Sequence, residues 1–152
     1  MNRKLAIVLR IFLGIVFLYA AYTKLRQPWL VFAMSIDAYQ LLPSWAVLTA
    51  ARTLPSVELV LGLLLVSGKL LRYAAPSLTI LLIGFYVAMI RAYQAGAGID
   101  CGCFGVGEAV SMITLARDGV LLASSVVLTY LVFNAEGLRR SPILHPQTES
   151  ER

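Results

Sequence analysis

The sequence predicts an all-α integral membrane four-helix bundle with a short interfacial helix between spans 1 and 2. Three observations predict it. Hydrophobic residues make up 59% of the 152 and charged residues 14%, where an ordinary soluble domain carries roughly 25% charge and 45–50% apolar residues. Mean hydropathy is +0.80. Four stretches approach the roughly 20 apolar residues that a hydrocarbon core requires at about 1.5 Å of rise each. The composition excludes a disordered chain and argues against a water-soluble globule.

The first span covers residues 5–23. It holds Arg10 close to its start, where a long side chain can snorkel to the interface. Arg3 and Lys4 precede it as they would a signal peptide. No small-residue cleavage site follows Ala20 and Ala21, so the expectation is an uncleaved span. Between Gln27 and Pro43, Trp29, Leu30, Phe32, Ala33, Ile36 and Tyr39 recur at near-helical spacing, interrupted by Ser35, Asp37 and Gln40. That stretch is too short and polar to span and reads as an interfacial or packed surface helix.

The second span is apolar from Thr53 to Gly68 and extends back to about residue 45. Pro55 falls near its start, which places Glu58 in a first turn, where the helix dipole favours a carboxylate. The third span, 70–93, contains 18 uncharged residues from Tyr73 to Ile90. The fourth, 114–135, contains 17 from Gly119 to Ala135 and carries Arg117 and Asp118 near its start. Gly14, Ala20, Ala21, Gly62, Gly84, Ala123, Ser124 and Ser125 suit close helix packing. Residues 1–135 are expected to form a single four-span domain. Residues 136–152, with Ser141, Pro142, Pro146 and Ser150, read as a disordered cytoplasmic tail.

Four spans put both termini on one side. That side holds eight of the 13 Lys and Arg: Arg3, Lys4, Arg10, Lys69, Arg72, Arg139, Arg140 and Arg152. The other side holds Lys24, Arg26, Arg52, Arg91 and Arg117. The bias predicts cytoplasmic termini in a bacterial inner membrane. Tyr19, Tyr22, Trp29, Trp45 and Tyr93 mark the opposite interface. The net charge of +5 is then mostly a topology signal, and no basic-aromatic surface for nucleic acid is present.

The two cysteines of the chain stand one residue apart, in Asp100-Cys101-Gly102-Cys103-Phe104-Gly105, after the third span. Three readings follow. In the first the pair is redox-active. A disulfide needs Cα atoms within about 4.4–6.8 Å, which residues i and i+2 reach only in a tight bend that Gly102 permits. Such a small ring is strained, and strained exposed disulfides are the labile, oxidising ones. Asp100 could accept or relay a proton, and Arg91 or Arg117 would offset its charge in favour of thiolate. In the second the pair binds metal. Structural zinc takes four ligands, the single His145 lies in the tail, and only a dimer would supply four thiolates. In the third the cysteines are a structural staple or idle thiols, although so short a loop constrains little chain entropy. The nearby glycines do not form a dinucleotide-binding fingerprint, and no strand precedes them.

Glu58, Lys24, Arg52, Arg91, Asp100, Arg117 and Asp118 all fall toward the outer helix ends. A polar pocket beneath the cysteine loop would suit a quinone head group or proton transfer. The alternative is interfacial capping and interhelical ion pairs.

Arg10 with Gly14, Phe17 and Lys24; Tyr39 with Leu41, Leu42 and Pro43; Pro55 with Glu58 and Gly62; the Cys-Gly-Cys-Phe-Gly run; and Arg117 early in the last span together resemble the MauE/DoxX-like family of small membrane proteins, on its MauE side. The resemblance covers about residues 5–133. It implies a redox-associated four-helix protein of the bacterial cytoplasmic membrane. It also implies a role beside a thioredoxin-like periplasmic partner in maturing a disulfide-rich client such as the small subunit of methylamine dehydrogenase. Carried over, it makes Cys101 and Cys103 the redox pair and leaves Glu58 and Arg117 as pattern residues of unassigned purpose. With a single cysteine pair, the chain would pass electrons onward itself or act as an adaptor. The alternative function is a non-catalytic scaffold for a dehydrogenase or respiratory complex.

Overall fold

Among the described residues, four helices are long and apolar enough to cross a membrane: Lys4–Leu25, Ser44–Ser67, Leu71–Gln94 and Met112–Asn134. Their bounds lie within two residues of those expected. The computed structural model describes residues 2–94 and 109–140, with side chains over 4–94 and 109–134. Its helices are α1 (Asn2–Leu25), α2 (Trp29–Asp37), α3 (Ser44–Ser67), α4 (Leu71–Gln94) and α5 (Met112–Arg140). The last helix continues to Arg140, five residues past the expected end of the fourth span.

The long helices form a ring in the order α1, α3, α4, α5, each packed on its two neighbours. Leu13, Phe17, Leu65, Leu78, Leu82 and Leu128 meet at its centre. The outer surface is apolar as well. Trp45, Ile80 and Ile113 stand 71%, 70% and 81% exposed, on three different helices. Water would penalise such a continuous apolar exterior, whereas lipid matches it. The chain is a multi-pass membrane bundle.

In lipid, burial of apolar surface does not drive helices together, so close packing and polar contacts must. At the α1–α3 crossing, a Cβ on Gly14 would come within 2.6 Å of Val66 Cγ2 and 3.2 Å of the Gly62 carbonyl oxygen. A Cβ on Gly62 would come within 2.9 Å of Leu18 Cγ. The expected packing role holds for both. It does not hold for Gly84, where an added Cβ would meet nothing within 4 Å. Across the α4–α5 pair, the Thr79 and Thr129 hydroxyls lie 3.0 Å apart.

The helix ends have local causes. Gly68 closes α3 with φ +74, and its N–H donates to the Leu64 and Leu65 carbonyls at 2.9 and 3.2 Å. The Arg10 guanidinium lies against Gly68, where a cation complements the carbonyl end of a helix. At the start of α5, the Thr114 N–H donates to Ser111 Oγ at 3.3 Å and the Ser111 N–H donates to Thr114 Oγ1 at 2.8 Å. This is the reciprocal arrangement of a capping box.

Glu58 does not sit in a first turn. The helix α3 starts at Ser44, so Pro55 is internal and Glu58 lies in mid-helix. The reason is tertiary. Phe32 and Ala33 of α2 pack on Val47 and Ala51 of α3, and the Arg52 guanidinium stands over the Trp29 ring at 4.5 Å. Docking of α2 holds the opening turns of α3 in the helix that Pro55 alone would discourage.

Candidate functional site

A lysine and a glutamate inside apolar spans are each costly alone, and the antiparallel register of α1 and α3 brings them together. Lys24 lies in the last turn of α1. Its Nζ donates to both carboxylate oxygens of Glu58, at 2.6 and 2.8 Å, and each side chain is only 2% exposed. The ammonium also stands over two aromatic rings, 5.3 Å from the Phe32 centroid and 5.6 Å from that of Phe85. Rings at this range stabilise a cation that has lost its water. The cage therefore draws on four elements: Lys24 from α1, Phe32 from α2, Glu58 from α3 and Phe85 from α4.

Behind the pair lies a cavity of about 30 Å³, which reaches Tyr86 and Asp118. That volume admits one or two waters. Asp118 is buried and accepts a hydrogen bond from Arg117 Nε at 2.9 Å. Gly119, one residue on, faces the Tyr86 hydroxyl, which would lie 3.3 Å from an added Cβ. On the other side of Phe32 and Phe85 lies an apolar groove of about 430 Å³ between α2, α3 and α4. It occupies the seam between α3 and α4, the least extensive of the contacts in the ring. Phe85 lines both spaces and separates the groove from the ion pair.

The expected site residues divide into three groups. Glu58, Arg117 and Asp118 lie around one inter-helix region, with Glu58 and Asp118 lining one cavity. Arg91 is exposed in the last turn of α4. Asp100, Cys101, Gly102 and Cys103 lie outside the described residues. Of the two parts of the alternative expected for these charges, capping does not hold for Glu58, which lies in mid-helix, and the interhelical ion pair does, with Lys24. Lys24 was legible as a charge near a helix end, but not as the partner of Glu58. The two aromatic walls gave no separate signal, because Phe32 and Phe85 look like ordinary core residues in sequence. A signal for the pair did exist: two opposite charges within apolar spans must neutralise one another or face water.

A family model described as methylamine utilisation protein MauE matches residues 2–131. The chain belongs to the MauE family. A curated relative from Paracoccus denitrificans, named methylamine utilization protein MauE, is 34% identical over 123 residues, covering 79% of this chain and 66% of that protein. The chain thus spans just under two thirds of that MauE's length. No solved structure matches.

Proposed function

We propose that this MauE-family chain is an inner-membrane thiol–disulfide exchange protein acting through Cys101 and Cys103. The observation that carries the reading is membership of the MauE family combined with a lone Cys-Gly-Cys pair between the third and fourth spans. In sequence the pair falls between α4 and α5, and the end of α4 and the start of α5 lie at the end of the bundle where α2 docks. The Lys and Arg distribution makes that end periplasmic and both termini cytoplasmic. An oxidising compartment permits the bond to form there.

In the exchange, one thiolate attacks a partner's disulfide and displaces a partner thiolate, forming a mixed disulfide. The second cysteine of the pair then attacks the first. The mixed bond breaks, the partner leaves as a dithiol, and Cys101–Cys103 closes. The reverse sequence delivers a disulfide to the partner. The partner class is a thioredoxin-like periplasmic protein. The downstream client is disulfide-rich, in the manner of the small subunit of methylamine dehydrogenase, within methylamine utilisation.

A Cys103→Ser variant should trap a mixed disulfide through Cys101, visible as a reductant-sensitive band on a non-reducing gel. If neither single-cysteine variant yields an adduct and the double serine variant matures clients normally, the reading fails. The single cysteine pair favours a second reading, a non-catalytic maturation scaffold. In that case thiol labelling from outside would report one fixed state whatever the external redox poise.

A further inference from the structure

Arg10 stands on α1 where the end of α3 meets it. Gly68 has no Cβ, and the guanidinium fills the space that one would take: its central carbon lies 2.8 Å from that position. The side chain is partly buried. Among the described residues it makes no ion pair and no hydrogen bond, and its Nε is buried without an acceptor. A guanidinium carries five N–H donors. The carbonyl end of α3 attracts its charge but engages none of those donors. A charged donor left unmet at a membrane boundary is costly, so Arg10 calls for an acceptor that the described residues do not supply.

No described carboxylate lies at this end. The acidic side chains described are Asp37, Glu58 and Asp118. Glu58 and Asp118 line the cavity beside Lys24, in the last turn of α1, and Asp37 ends α2. The Arg10 end carries cations instead. Lys4, early in α1, and Lys69, next to Gly68, are both exposed, and Arg72 stands in the first turn of α4. The flanks are apolar. One turn before Arg10, Ile7 is exposed; one turn after it, Gly14 meets Val66, itself exposed.

An anion that reaches Arg10 therefore lies against a lipid-facing surface. A soluble phosphate would leave Ile7 and Val66 uncovered, whereas a phospholipid covers them with its own chains. A choline head would set its ammonium against Lys4 and Lys69, a like-charge contact that an anionic head avoids. Basic pockets between spanning helices suit acidic lipid heads for these reasons. We propose that the junction of α1 with the α3–α4 connection binds an anionic phospholipid, its phosphate on the Arg10 guanidinium between Lys4 and Lys69, and its chains along Ile7 and Val66. Arginine meets phosphate with two parallel N–H donors. This lipid site is independent of the cysteine chemistry and of which side of the membrane the termini face.

Native mass spectrometry of the purified full chain in a neutral detergent, titrated with phosphatidylglycerol, should show one saturable lipid adduct. Phosphatidylcholine should bind at least about tenfold more weakly, and inorganic phosphate should not displace the bound lipid. Arg10→Gln should weaken phosphatidylglycerol binding at least about tenfold, the scale of a lost charge-assisted hydrogen bond. Arg52→Gln, which removes a cation from the opposite end, should leave binding unchanged. Gly68→Ala keeps every charge but puts a Cβ where the guanidinium sits, and it should weaken binding as well. Circular dichroism and gel filtration check that each variant is folded. Should Gly68→Ala not fold, Arg10→Lys takes its place: it keeps the charge without the planar fork and should also bind more weakly. Equal affinity for the two lipids, unchanged binding in Arg10→Gln, or equal losses in Arg10→Gln and Arg52→Gln overturns the proposal. Displacement by inorganic phosphate would assign the site to a soluble anion and overturn it too.

Discussion

Lys24 and Glu58 show how a membrane protein keeps charge in its interior. Each side chain is only 2% exposed, so each depends on the other and on the rings above the ammonium. Removing one partner leaves an uncompensated buried charge, which costs about 3–5 kcal/mol, whereas replacing both with apolar residues is often neutral or stabilising. Lys24→Met should therefore destabilise the bundle by about that amount, and Lys24→Met/Glu58→Leu should recover most of the loss. Thermal unfolding in detergent micelles measures both. If the single and double variants melt alike, the pair carries no structural weight. At this scale the sequence was readable only in part. Glu58 was recognisable as an unusual residue for a span, but its neighbour in space stands 34 positions away in sequence.

Between elements, the α1–α3 crossing depends on two glycines. Gly62→Val would drive its side chain into Leu18 and the Gly14 carbonyl. Forcing extra bulk into a packed contact costs roughly 1–3 kcal/mol, and here it would also shift the register that seats Lys24 on Glu58. The expected result is a lower melting temperature for Gly62→Val than for Gly84→Val. The latter changes a helical glycine of equal propensity at a position with no neighbour. A matching loss at both sites would mean that propensity, not close approach, explains Gly62. The pattern of small residues in sequence suggested packing at both glycines alike. Only the crossing geometry separates a glycine under pressure from a glycine on an open groove. Likewise, α2 was legible from its amphipathic spacing, but its hold on the opening turns of α3 was not, and that hold is what moves Glu58 from a helix start to mid-helix.

For the whole molecule, the proposed topology has the amino and carboxyl ends on the cytoplasmic side, as the distribution of Lys and Arg predicts. A carboxyl-terminal green fluorescent protein fusion should fluoresce, and a carboxyl-terminal alkaline phosphatase fusion should be inactive. The opposite pattern would put the cysteine segment in the reducing compartment and remove the basis for the exchange reading. Length and composition by themselves determined that this chain is a helical membrane bundle with four crossings, because the hydrocarbon thickness sets how many consecutive apolar residues each helix needs. The family, too, was readable in sequence, from residues scattered over all four spans together with the motif around Cys101 and Cys103. Tertiary structure alone decided which charges meet, which glycines are pressed, and where the ring of helices leaves a groove. Those outcomes depend on helix register and crossing, which follow from side-chain fit between segments distant in the chain.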